Sequence, residues 1–167
     1  MKTLETLSCQ LVKQLTERNL KIVFAESCSG GLLAASISSV PGASACFAGS
    51  AVTYRDEVKA GWLNVCEKIL REKSAVCREV AVQMAEGVLR TTPSASIGVA
   101  TTGYLGPNSP AGQDGTAFIA ISALFNGEPN TICKHISLTA TKRPERQQEV
   151  VQLALQWVVT YFETAKT

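Results

Sequence analysis

Leucines recur at Leu4, Leu7, Leu11 and Leu15, with Lys2, Glu5, Lys13 and Glu17 between them. That spacing predicts an amphipathic first helix. Leu20 to Ala25 holds the run Ile22-Val23-Phe24, short and wholly apolar, as suits a buried parallel strand. Ser29 is positioned to cap a helix over about 30–40, which Pro41-Gly42 ends. Phe47 to Tyr54 predicts a second strand. Asp56 to Leu63 predicts a short helix anchored by Trp62 and Leu63, and Cys66 to Lys73 another helical turn or two. Across Arg78 to Arg90 the residues Val82, Met84, Ala85, Val88 and Leu89 make a broad apolar stripe, so this helix should lie on a sheet.

Ser94 to Ala100 predicts a third strand feeding the loop Thr101 to Pro107. Gly115 to Phe125 and Thr131 to Leu138 flank Asn126-Gly127-Glu128-Pro129-Asn130, the pattern of a hairpin. Pro144 fits the first turn of a last helix that carries Val150, Val151, Leu155, Trp157, Val158 and Phe162. Helices and strands alternate with no linker, repeat or low-complexity tract. The expected fold is one α/β domain over 1–167, three layers α/β/α around a mixed sheet.

Composition narrows the function classes. Hydrophobic residues are 46% and charged residues 18% of the 167, enough apolar material for a substantial core. The net charge of +2 is scattered, with no basic cluster or aromatic platform, so a nucleic-acid partner is not expected. Cys9, Cys28, Cys46, Cys66, Cys77 and Cys133 form no C-x-x-C pair. Free thiols in a reducing compartment are expected, without a structural disulfide. With a single histidine, His135, neither a metal site nor a cofactor is expected. Met1-Lys2-Thr3-Leu4-Glu5 lacks an apolar signal core, and the uncharged stretch from Ser27 to Tyr54 is broken by Gly30, Gly31, Pro41 and Gly42. A cytoplasmic protein with no membrane partner is expected.

The uncharged stretches Ser27–Tyr54 and Thr91–Gln113 both contain strand-to-loop junctions, where open α/β sheets place ligands. In Ser27-Cys28-Ser29-Gly30-Gly31, glycines at a helix start would let an anion approach free N–H groups. They serve equally well for close packing. Ser44 could be a nucleophile if Lys59 took its proton, which requires a depressed lysine pKa. Lys59 stands among Arg55, Asp56 and Glu57, and a solvated helix face explains it as well. Tyr54 could orient the lysine or the substrate. His135 has no orienting carboxylate near it in the pattern, and Cys28 reads as a small buried residue. Lys142, Arg143 and Arg146 open the last helix, where positive charge opposes the dipole and a ligand would offset it.

Taken together, three ordered stretches resemble the C-terminal domain of the CinA competence/damage-inducible family, whose enzymatic members are nicotinamide-nucleotide amidases. Ala25-Glu26-Ser27-Cys28-Ser29-Gly30-Gly31 is similar to the family's A-E-S-C-T-G-G. Gly42-Ala43-Ser44 with Phe47, then Val52-Thr53-Tyr54 and Glu57-Val58-Lys59, resembles G-S-S-x-x-F and V-T-Y-x-N-E-A-K. Thr102 to Pro107 followed by Gly115-Thr116 resembles T-G-I-A-G-P and V-G-T. The resemblance implies an α/β fold, a homodimer or higher homo-oligomer, and hydrolysis of nicotinamide mononucleotide to nicotinic acid mononucleotide and ammonia. It implies Ser44 as nucleophile, Lys59 as base and Tyr54 beside them. Ser27, Ser29, Gly30, Gly31, Thr102, Gly103, Lys142 and Arg146 would bind the substrate, the phosphate seeking the two helix starts.

Two departures stand out. The segment Asn108 to Asp114 lacks the family's glycine pair and lysine, and Ala140-Thr141-Lys142 replaces its G-D-R. A non-catalytic paralogue that binds a nucleotide or another phosphorylated metabolite is the alternative. Either reading expects Ser27–Gly31, Ser44 and Thr101–Gly106 to share one pocket. Trp62, Trp157 and Phe162 are expected to need the cover of a second copy.

Overall fold

The computed structural model describes residues 2–125 and 127–164, with the side chains of Phe125 and Thr164 set aside. Among the described residues six helices and five strands follow in the order α1 (Leu4–Glu17), β1 (Ile22–Glu26), α2 (Leu32–Ser38), β2 (Phe47–Val52), α3 (Asp56–Leu63), α4 (Glu67–Glu72), α5 (Arg78–Arg90), β3 (Ile97–Gly103), β4 (Thr116–Phe125), β5 (Glu128–Ser137) and α6 (Arg143–Thr164). A single 3-10 turn, Ala43–Ala45, precedes β2. The sheet order is β2-β1-β3-β4-β5. The first three strands are parallel and the last two antiparallel, so the expected mixed sheet is the one observed.

The strand residues divide between two cores by their period of two. Ile22 and Phe24 of β1 and Ile97 and Val99 of β3 point to the face covered by α1, α2 and α6. Val23, Ala25, Ala100 and Ala120 point to the face covered by α5 and α3. The second face is built of small residues, and that brings α5 close. A Cβ on Gly98 of β3 would lie 2.4 Å from the Ala85 carbonyl of α5, so glycine is required there by contact.

The strands extend beyond the predicted spans. β3 runs three residues past Ala100, so Thr101, Thr102 and Gly103 are strand residues pairing with Ile119, Phe118 and Ala117. β5 begins at Glu128, with Pro129 opposite Leu124. Proline is tolerated because β5 is an edge strand. The predicted Asn126 turn position lies outside the described residues. Of the three aromatic residues expected to need cover, only Trp62 is largely exposed, at 61%. Phe162 is buried with the Arg18 guanidinium over its ring, and Trp157 is half-buried beneath Lys134. Among the described residues no helix is long and apolar enough to cross a membrane.

Candidate active site

β1, β2 and β3 all end at the same edge of the sheet, because they are parallel. The chain leaves β1 at Ser27 and β2 at Thr53, and β3 ends on Thr102-Gly103. α6 starts at this edge with Arg143. The residues converge on a cleft of about 220 Å³ lined by Ser27, Cys28, Tyr54, Lys59, Ala75, Val76, Thr102, Gly103, Tyr104, Leu105, Gly106, Pro107, Asn108, Ser109 and Arg143.

Lys59 is the most unusual group in it. Its side chain is 1% exposed, although its charged neighbours on α3, Asp56 and Glu57, are exposed. The ammonium donates to the Tyr54 carbonyl at 3.0 Å and lies 3.7 Å from Asp56, whose own side chain is half in water. Burial pulls the lysine pKa below its usual value, and the Asp56 carboxylate partly restores it. The solvated-helix explanation of Lys59 is thereby excluded. Cys28 is buried as well, and burial pushes its thiol up to about 12, so it stays protonated near neutrality.

Arg143 frames the opposite wall. Its guanidinium donates to the Gly106 carbonyl at 2.7 Å and to the Tyr54 hydroxyl at 2.8 Å. Thr102 spends its hydroxyl on the Ala75 carbonyl at 2.7 Å. Tyr104 and Ser74 share a hydrogen bond that ties the segment before α5 to the cleft.

This arrangement accompanies a match to the CinA C-terminal domain over residues 4–162. The chain belongs to the CinA C-terminal domain family. It is 38% identical over 140 residues to a CinA-like protein of Myxococcus xanthus, covering 83% of this chain and 32% of that protein. The chain thus spans about a third of the length of the curated relatives it matches. Among solved structures, the competence/damage inducible protein CihA of Agrobacterium tumefaciens superposes with a TM-score of 0.89 at 30% identity, over 96% of both chains. The competence damage-inducible protein A of Klebsiella pneumoniae also reaches 0.89 at 27% identity, over 99% of this chain and 100% of that one.

Within this CinA domain the predicted site residues divide into two groups. Ser27, Tyr54, Lys59, Thr102 and Gly103 line the cleft. Ser44 does not, which corrects the expectation of a shared pocket. It sits on the 3-10 turn before β2, and Phe47 at the start of β2 pairs with Ile22 at the start of β1. The cleft begins beyond Glu26, four residues further on, so about 13 Å of strand separates the two ends. Ser44 belongs to the opposite edge of the sheet.

Ser29, Gly30 and Gly31 do not line the cleft. Ser29 is fully buried, and its hydroxyl bonds to Glu26 at 2.8 Å and Thr101 at 2.7 Å. It is not the cap of α2; Gly31 holds that position. Gly30 and Gly31 have φ of 61° and 98°, the left-handed region that favours glycine. At this helix start, where a phosphate was expected, the amides of Gly31, Leu33 and Ala34 are bonded to the Glu26 carboxylate.

At α6 the cleft residue is Arg143, not Lys142 or Arg146. Lys142 is 78% exposed on its side chain and faces Glu145 at 3.7 Å. Arg146 is buried and structural: it pairs with Asp114 at 2.7 Å and donates to the Ala140 carbonyl. It holds the Asp114 carboxyl below the usual range and so pins the divergent loop, where Asp114 also accepts from Ser109. His135 stacks on Phe118 at 4.9 Å and does not line the cleft. Among the described residues there is no group of three side chains suited to a metal ion.

Proposed function

We propose that this CinA domain hydrolyses the carboxamide of a pyridine mononucleotide, nicotinamide mononucleotide being the substrate, through a Ser27–Lys59 pair. The observation that carries the reading is the buried, pKa-depressed lysine opening on the same cleft as Ser27. A lysine in water is charged at neutral pH and cannot take a proton. One stripped of water can. In the proposed sequence Ser27 Oγ attacks the amide carbon as neutral Lys59 takes its proton. The backbone N–H of Cys28, next along the turn, faces the oxyanion. Lys59 returns the proton to the amide nitrogen, ammonia leaves, and water then hydrolyses the Ser27 ester to the acid.

The cleft volume is below the ~300–1,000 Å³ of pockets that enclose a drug-sized ligand. That favours a mononucleotide with its phosphate at the rim over a dinucleotide. Arg143 is the phosphate partner in this reading: two of its five N–H donors are used, and the rest remain for an oxyanion. A homodimer is part of the proposal, with the exposed Trp62 on α3 supporting it; light scattering that returns only monomer at micromolar concentration would remove that part.

The alternative, ligand binding without chemistry, is favoured by one observation. The basic residue in the position of the family's arginine, Lys142, is exposed and ion-paired outside the cleft. Ammonia release from nicotinamide mononucleotide by the purified chain separates the two readings. The amidase reading expects release dependent on Lys59; binding without release would establish the alternative.

A further inference from the structure

Glu26 is fully buried, at the end of an all-apolar strand, and it faces no basic side chain among its hydrogen-bond partners. Its two oxygens are held by five donors instead. One carboxylate oxygen accepts from the Ser29 hydroxyl at 2.8 Å and the amides of Gly31 and Leu33 at 2.9 and 3.0 Å. The other accepts from the Ala34 amide at 2.9 Å and the Ser50 hydroxyl at 2.8 Å. Five donors satisfy both carboxylate oxygens without a counter-ion, because backbone N–H and hydroxyl groups converge on them from α2, the turn before it and β2.

These bonds bind the chain on both sides of Ser27. Upstream, the Glu26 carbonyl accepts from Thr53, the residue before Tyr54, at 2.8 Å. Downstream, the carboxylate reaches back over the turn from Ser29 to Ala34, while Gly30 donates to the Ser27 carbonyl and Ser27 donates to Thr101. Ser27 is the one residue of the turn between Glu26 and Ser29 whose hydroxyl is free to face the cleft. On the far side of the Ser27-Cys28 pair, the Ser29 side chain is held inward by the same carboxylate.

We propose that Glu26 is a positioning residue for the reaction: its carboxylate clamps the turn that aims Ser27 at Lys59 and at the substrate, and touches neither. The proposal rests on the amidase reading above. It requires an acceptor at both side-chain oxygens, since each of them receives at least one backbone N–H and one hydroxyl. A glutamine in the same space turns an NH2 group onto at least one backbone N–H and leaves it without an acceptor. An alanine leaves five inward-facing donors around a space the size of a small carboxylate.

The test pairs turnover with a readout that does not depend on the substrate: the rate at which an alkyl fluorophosphonate labels Ser27, located by mass spectrometry. Wild type, Glu26→Gln, Glu26→Ala and Ser50→Ala are compared, each checked for a cooperative melt. Wild type should label at Ser27. Glu26→Gln should lose at least 100-fold in both labelling rate and kcat with KM within about threefold, and Ser50→Ala about threefold in the same direction. Formate at 0.1 M should restore at least tenfold of labelling to Glu26→Ala and none to Glu26→Gln, whose space is filled. A variant at Glu26 that melts cooperatively and labels at the wild-type rate overturns the positioning role and leaves the amidase reading standing. Wild type that releases no ammonia and carries no label on Ser27 overturns both. Should neither Glu26 variant fold, a Ser50→Ala rate equal to wild type overturns the clamp.

Discussion

Replacing Lys59 by methionine should remove activity and raise stability together. The lysine is 1% exposed, so keeping it charged costs several kcal/mol of lost hydration. Two contacts offset this. Attraction to Asp56 at 3.7 Å is about 1 kcal/mol in a water-like medium and about 4–5 kcal/mol at an effective dielectric of 20. Asp56 is half in water, so the lower figure applies. The hydrogen bond to the Tyr54 carbonyl adds about 1.5–3 kcal/mol for a charged donor. The balance is a net cost of about 1–2 kcal/mol, which methionine, of similar length, does not carry. The melting temperature should rise by about 3–6 °C at pH 7 for a chain of this size.

The pH dependence carries the sign. Lys59 titrates below 10.5 when folded and near 10.5 when unfolded. Between those values the unfolded chain binds the extra proton, so wild-type stability rises with pH, is fully present above about 10.5 and is lost as pH falls through the folded value. The methionine variant lacks that slope. Its advantage should be widest at the lower pH and close as pH approaches 10.5. Denaturant melts of both proteins from pH 7 to 10.5 measure it. A methionine variant less stable than wild type, or a gap that does not narrow with pH, refutes the account of a costly buried base.

Three further outcomes are expected. If Lys59 is the base, kcat/KM for ammonia release should climb with pH below 10.5 and flatten once the lysine is neutral; a profile that falls over that range contradicts it. Arg143→Lys should raise KM about tenfold with kcat within about threefold, because a point charge replaces a fork; an unchanged KM removes Arg143 from the phosphate. Gly98→Ala should cost about 2–3 kcal/mol, since its Cβ would meet the Ala85 carbonyl at 2.4 Å and push β3 from α5; a melt within 2 °C of wild type argues against that packing.

The layers of the fold were legible because each element carries its own period. The apolar run at Ile22–Phe24 and the stripe at Arg78–Arg90 both fall where they were predicted. The site was legible only in part, and the errors have physical causes. Ser44 precedes the strand Phe47–Val52, whereas Ser27 follows one; the rule that ligands gather at strand carboxyl ends selects Ser27 by itself. The resemblance to the family's second motif had favoured the other serine. Arg143 differs from Lys142 by one position at a helix start, and which of them faces the cleft depends on where α6 begins, which a pattern locates to no better than a residue or two. Glu26 had a visible signal, a carboxylate closing an otherwise apolar strand. Its partners lie on α2 and on β2 at Ser50, and only the parallel pairing of β1 with β2 brings the latter within reach. Lys59 looked solvated because its sequence neighbours are charged. The folded chain turns those neighbours outward and this one residue in.

The central claim is that Ser27, paired with Lys59 at the carboxyl edge of the sheet, is the nucleophile. The most direct measurement is ammonia release from nicotinamide mononucleotide by wild type, Ser27→Ala and Ser44→Ala under identical conditions. The account predicts a loss of at least 1,000-fold for Ser27→Ala and a rate within about threefold of wild type for Ser44→Ala. Retained activity in Ser27→Ala, or a loss confined to Ser44→Ala, would contradict it.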